Sequence, residues 1–194
     1  MTRRHVLQVE VASRLGGDRT KLLNSLSMTT TENRRAGPSV EALLTAFDTN
    51  DRINRYMIEN LPAEAWRAEP PGGKGRTIAA IVAHIHNVRV MWLKASAKGS
   101  KIPEQLDRGS VTPTRAIQAL DQSRRTLRAV IESALKSDGR VKGFRPDVSG
   151  FFAYLIAHDA HHRGQVCMLA RQMGYPLPQK AMFGMWEWGT RGKV

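Results

Sequence analysis

Apolar residues recur at helical spacing in four separate blocks, and none alternates with the period of two that marks a half-buried strand. The first block opens at Ser39, a predicted N-cap, and runs to about Asn60, where Pro62 stops it. Leu43, Phe47, Met57, Ile58 and Leu61 mark its inner face. Thr77 caps the second, which closes near Gly99 and turns Ile78, Ile81, Val82, Ile85, Val88 and Trp92 inward. Thr112-Pro113, a cap followed by proline at the first helical position, starts the third; it continues to about Ser137 with Ile117, Leu120, Leu127, Ile131 and Ala134 inside. Ser149 is the predicted cap of the fourth, which ends near Met173, with Gly174 as its C-terminal cap and Pro176 beyond. Helices of this length without strand signals predict an all-α, antiparallel four-helix bundle over residues 39–194.

Proline and glycine punctuate the joints. GGKGR at 72–76 lacks both the P-loop spacing and its Lys-Ser/Thr ending, so it reads as a turn. Residues 1–38 are polar and Ser/Thr/Arg-rich, and are expected to form a mobile extension. The tail KAMFGMWEWG carries Trp186 and Trp188 and is expected to pack over the bundle.

Composition narrows the class. The net charge is +13, from 30 Lys+Arg against 17 Asp+Glu, yet no long basic run or aromatic-interleaved motif accompanies it. The excess therefore reads as a basic solvated surface rather than a nucleic-acid interface. A single cysteine, Cys167, excludes an internal disulfide and fits a reducing compartment. Without a signal-like or membrane-length apolar stretch, the expectation is a cytoplasmic protein with no membrane segment, compatible with a homodimer.

Candidate chemistry lies on the inner faces. At about 100° per residue, His158 and His162 fall on the same stripe as Phe151, Leu155, Leu169 and Met173, one turn apart. His161 lies about 80° away, and Asp159 is expected to point off the stripe. On the second helix His84 can look along the edge of the core, whereas His86 is expected to be more exposed. Buried imidazoles need partners, and two readings stay open: a hydrogen-bonded histidine core, or three imidazoles around a divalent metal with positions left for a reactant. Asn50 and Asn54 share the face of the first helix; they either tie helices together through amide hydrogen bonds or, for Asn54, line a polar cavity. Gln165 is close enough to the stripe to support a ligand from behind. Cys167 reads as a small core residue and Gly164 as a site of close helix approach.

IVAHIHNV at 81–88, LIAHDAHHRGQ at 155–165 and the following LARQMGYPLP together resemble the DinB/YfiT-like family of metal-binding four-helix bundles, over about residues 40–178. The resemblance implies that His84, His158 and His162 hold the metal, and that His161 belongs to a frequent HHRGQ doublet without ligating. Zinc, nickel, iron and cobalt all suit such a donor set. Characterised relatives include transferases and an isomerase that use low-molecular-weight thiols, and others are described as metal-dependent hydrolases. The resemblance thus implies a small-molecule substrate and transfer of a low-molecular-weight thiol to an electrophile, with metal-dependent hydrolysis or a non-enzymatic, metal-stabilised stress-response role as alternatives. For capture of a carboxylate-bearing thiol the candidates are Arg89 and Arg163, with Asn54 and Gln165 beside the ligands.

Overall fold

Residues 39–193 are described by the structure, a computed structural model. Four long helices dominate: α1 (Val40–Glu59), α2 (Ile78–Ser96), α3 (Pro113–Leu135) and α4 (Val148–Gln172). Two short ones follow, α5 (Gln179–Gly184) and α6 (Trp188–Arg191), while the α1–α2 loop holds two 3₁₀ turns, Ala63–Trp66 and Pro71–Gly73. Among the described residues there is no β-strand, and no helix is long and apolar enough to cross a membrane. The extension expected over 1–38 lies outside the described residues.

Local sequence explains where the helices start and stop. Ser39, Thr77 and Thr112 accept hydrogen bonds from the backbone N–H of Ala42, Ala80 and Arg115 at 3.1, 3.2 and 3.3 Å. Each such cap is worth about 1 kcal/mol. For α4 the cap is Asp147 rather than Ser149: its carboxylate accepts from Gly150 N–H at 2.9 Å. Asp147 is held extended by a bridge to Arg140, so Ser149 already lies inside the helix, and a carboxylate also complements the helix dipole. The far end closes as expected. Gly174 adopts φ +83°, and the N–H groups of Gly174 and Tyr175 reach back to the carbonyls of Arg171 and Ala170.

Two apolar clusters reveal the direction of each helix. One gathers Met57 and Ile58 from the end of α1, Ile78 to Ile85 from the start of α2, Ala116 to Leu120 from the start of α3, and Val166 and Ala170 from the end of α4. The other gathers Leu44 and Phe47, Leu93, Leu127 and Ile131, and Phe151 and Leu155, from the opposite ends. Hence α1 and α4 run one way, and α2 and α3 the other. Packing places α1 against α3 and α4, and α2 against the same two. Each long helix therefore has one antiparallel and one parallel neighbour, a more specific order than an up-and-down antiparallel bundle.

The segment 97–112 makes the parallel α2–α3 pair possible. It must travel the length of a 19-residue helix, roughly 28 Å at 1.5 Å per residue. Ile102 packs on one apolar cluster, Leu106 and Val111 on the other, so this strap runs along the bundle. His86 and Asn87 clamp it to α2. His86 places its two ring nitrogens 3.1 Å from Ser123 Oγ and 2.8 Å from the Glu104 carbonyl, and Asn87 bonds the Leu106 backbone in both directions. His86 is consequently buried, not exposed as its helical phase predicted, because the strap covers that face. The tail folds onto α1: Ala181 is buried, Arg52 donates to the Arg191 carbonyl at 2.9 Å, and the Arg191 guanidinium sits 3.6 Å above the Tyr56 ring.

Candidate metal centre

A layer of polar side chains lies at mid-height between the two apolar clusters. Asn50, Asp51, Asn54, Arg89, Ser123 and Asp159 are all buried in it. Burying such groups is tolerable only when they satisfy one another, and Arg89 is the centre of the solution. Its guanidinium donates to Asp51 Oδ1 at 2.6 Å, Asp159 Oδ2 at 2.7 Å and the Leu120 carbonyl at 3.2 Å. Asp159 Oδ2 also accepts from the amides of Asn50 and Asn54 at 2.7 and 2.9 Å. The oxygens of those amides in turn accept from Arg163 Nη1 at 2.9 and 2.7 Å.

The two carboxylates shift in opposite directions. For Asp159 burial works to raise the pKa, but Arg89, His158 and Asn54 outweigh it and hold the carboxyl well below its ordinary range. Burial pushes Asp51 up, and Arg89 offsets only part of that. The difference follows from the donor count: three side chains converge on Asp159 Oδ2.

Next to this layer, on the first apolar cluster's side, the three histidines meet. One nitrogen from each of His84, His158 and His162 lies within 4.8 Å of the others. Because α2 and α4 are antiparallel, a position early in α2 faces one late in α4, and the one-turn spacing in α4 brings both its imidazoles to the same spot. His158 Nε2 and His162 Nε2 are 3.2 Å apart. His162 Nδ1–H donates to Gln165 Oε1 at 2.7 Å, which leaves the Nε2 lone pair facing the cluster. Tyr154 stacks on His158 with ring centroids 6.0 Å apart and planes at 27°.

Burial disfavours the charged form of His84 and of His162. Burial lowers the His84 pKa to about 4, with help from the positive potential of His162, Arg76, His158 and Arg108. Burial likewise lowers His162, partly opposed by Gln165. Neutral imidazoles with inward lone pairs are the form that ligates a cation. The buried Nδ1 atoms of His84 and His158 have no hydrogen-bond partner, as the imidazoles of a purely hydrogen-bonded core would. The donor set therefore fits a divalent transition metal better than it fits a self-satisfied histidine core.

A cavity of about 470 Å³ opens beside His162, lined by Arg76, Ile81, His161, Gln165, Met168, Leu169 and Gln172. It has one cationic side chain, neutral hydrogen-bonding groups and an apolar wall, and no carboxylate in its lining.

The structure brings His84, His158, His162 and Gln165 together, and leaves His161 exposed at the rim. Arg89 does not face this cavity. It is 1% exposed with its ends bound to Asp51 and Asp159, so its expected part in thiol capture is corrected to a structural one. Asn54 is fully buried between Asp159 and Arg163, which selects the helix-tying amide over the cavity-lining one. Arg163 is committed to the same two amides. Asp159 points inward, since α4 packs on α1 as well as α2 and its buried arc is wider than one stripe. Nothing lies within 4 Å of a Cβ placed on Gly164, so no helix approaches it closely. Cys167 is half-buried, and burial raises its thiol pKa, as suits a packing residue. Arg76 escaped notice because it stands in a loop, where helical phase says nothing about direction.

No curated protein matches the chain. A family model described as the DinB superfamily matches residues 46–166, a span that includes all three histidines and the polar layer. With that match over more than half its length, the chain belongs to the DinB superfamily.

Proposed function

We propose that the protein is a cytoplasmic, metal-dependent enzyme that transfers a low-molecular-weight thiol to an electrophilic small molecule. The observation that carries this reading is the convergence of three imidazoles from two helices beside an open cavity. His84, His158 and His162 would hold a divalent ion. Such an ion supplies a Lewis acid that lowers the pKa of a thiol or of water, making a nucleophile at neutral pH.

The chain's own residues do the rest. Gln165 fixes the tautomer and orientation of His162 through its 2.7 Å hydrogen bond. Ile81, Met168 and Leu169 offer an apolar wall to the body of a reactant, and Arg76 offers a partner to a carboxylate on the thiol. In the transfer itself the thiolate sulfur forms a bond to carbon. The displaced electron pair leaves with a departing group or, after addition to a double bond, takes up a proton on carbon. The same site can activate water, so hydrolysis is the competing reaction.

The test incubates metal-loaded protein with a panel of bacterial thiols and a halogenated aromatic or an activated alkene. Conjugate formation that a chelator abolishes supports the proposal. Ester cleavage without thiol would assign hydrolysis instead, and no turnover across either panel would overturn the enzymatic reading. Arg76→Ala is expected to raise KM for a carboxylate-bearing thiol while leaving the bound metal unchanged.

A further inference from the structure

His158 and Asp159 each carry one buried atom without a hydrogen bond, His158 Nδ1 and Asp159 Oδ1. These two atoms are 3.8 Å apart. Buried polar atoms are seldom left unpaired, and two orphans facing each other call for a physical explanation. Asp159 Oδ2 is held by three donors on two other helices, so the carboxylate cannot turn away and Oδ1 stays directed at the imidazole. His158 Nε2 meanwhile faces His162 Nε2, on the side where the three rings converge.

From this geometry we infer that Asp159 is a positioning residue for the metal centre, its Oδ1 accepting the Nδ1–H of His158 so that Nε2 is presented to the ion. The inference rests on the metal reading above. The two ligands of α4 then have different supports: a neutral amide, Gln165, behind His162, and a carboxylate, Asp159, behind His158. Metal-bound histidines generally donate their second N–H to such an acceptor, and removing it weakens metal affinity by about 10–100-fold. Reaching a charge-assisted bond of about 2.8 Å from 3.8 Å requires the two atoms to approach by about 1 Å. Through Arg89 the support extends to Asp51, which bonds the same guanidinium but is not among the partners of His158. Asp51 thus supplies an internal control, a second buried carboxylate on the same guanidinium.

The experiment measures zinc affinity of the full chain by competition with a chromogenic chelator, for wild type, Asp159→Asn and Asp51→Asn, alongside thermal unfolding of each. Asp159→Asn is expected to bind zinc about 10–100-fold more weakly, while Asp51→Asn binds like wild type despite losing stability. Long-range nitrogen–proton NMR of zinc-loaded wild type should show the proton on His158 Nδ1, and this decides the matter should Asp159→Asn fail to fold. Equal zinc affinity in wild type and Asp159→Asn, an equal loss in Asp51→Asn, or a bare His158 Nδ1 would each overturn the inference while leaving the metal reading intact. Failure of wild type to bind zinc, nickel, iron(II) or cobalt would overturn both.

Discussion

Replacing Arg89 with methionine removes the charge and keeps an unbranched side chain of similar reach. Arg89 is 1% exposed and neutralises two carboxylates that are themselves buried, so the change strands both. Breaking a buried ion pair from one side costs about 3–5 kcal/mol, a large share of the roughly 5–15 kcal/mol that holds a typical domain. At 2–4 °C per kcal/mol for a domain of this size, the melting temperature should fall by roughly 6–20 °C. Some compensation remains, since Asp159 keeps the amides of Asn50 and Asn54 and Asp51 keeps Arg124 at 3.8 Å. The pH dependence supplies a signature of its own. In wild type the depressed Asp159 pKa contributes stability that is present above the ordinary value of 3.8 and is lost as pH falls through the native value. Without Arg89 burial becomes the larger influence on both carboxyls, so their pKa values should rise and the variant should gain stability as pH falls through that range. The gap between the two proteins is therefore widest near pH 7 and narrows towards pH 4. Urea unfolding at several pH values measures it. A loss under about 1 kcal/mol, or a gap that does not change with pH, would refute this account of the polar layer.

Metal content offers the most direct check on the site: His84→Ala, His158→Ala and His162→Ala should each abolish stoichiometric metal in the purified protein, whereas His161→Ala keeps it, as elemental analysis will show. His86→Leu leaves the Glu104 carbonyl without its ring partner, while Ser123 keeps only its bond to the Leu120 carbonyl, and should cost about 1–3 kcal/mol, with faster hydrogen exchange at Leu106 as the strap loosens. Because burial lowers the His86 pKa, its share of stability is complete above about 6.5 and declines as pH drops below that; the same variant should flatten this slope without removing it, since His84 and His162 share the sign. Gly184→Ala would drive a methyl to 2.5 Å from Tyr56 Oη, and a melting temperature lower by several degrees is expected for overpacking of about 1–3 kcal/mol.

Periodicity within one helix fixes the angular position of each side chain but is silent about which other helices lie alongside. That is why the apolar faces, the caps at Ser39, Thr77 and Thr112 and the shared direction of His158 and His162 could be read directly. The same limit explains the misplaced residues. His86 looked exposed because the covering strap comes from outside α2, and Asp159 looked peripheral because α1 buries a flank that α2 does not. Arg89 was expected to meet a carboxylate-bearing thiol since its actual partners, Asp51 and Asp159, are distant in sequence. Asp147 displaced Ser149 as the cap through a two-residue bridge that no local propensity announces.

The order of packing also bears on how the chain reaches its native state. Among the four long helices, α1 and α2 are consecutive yet lie across a diagonal, and α3 meets α4 much less than it meets α1 or α2. No pair of successive antiparallel helices can zip together as a local hairpin and serve as a seed. Apart from the parallel α2–α3 pair, which needs the 97–112 strap laid along it, productive encounters join segments far apart along the chain, such as α1 with α3 or α2 with α4, and loop closure makes such encounters slow. Refolding should accordingly lag behind that of up-and-down bundles of equal length, and a fragment holding only α1 and α2 should not acquire a stable helix pair.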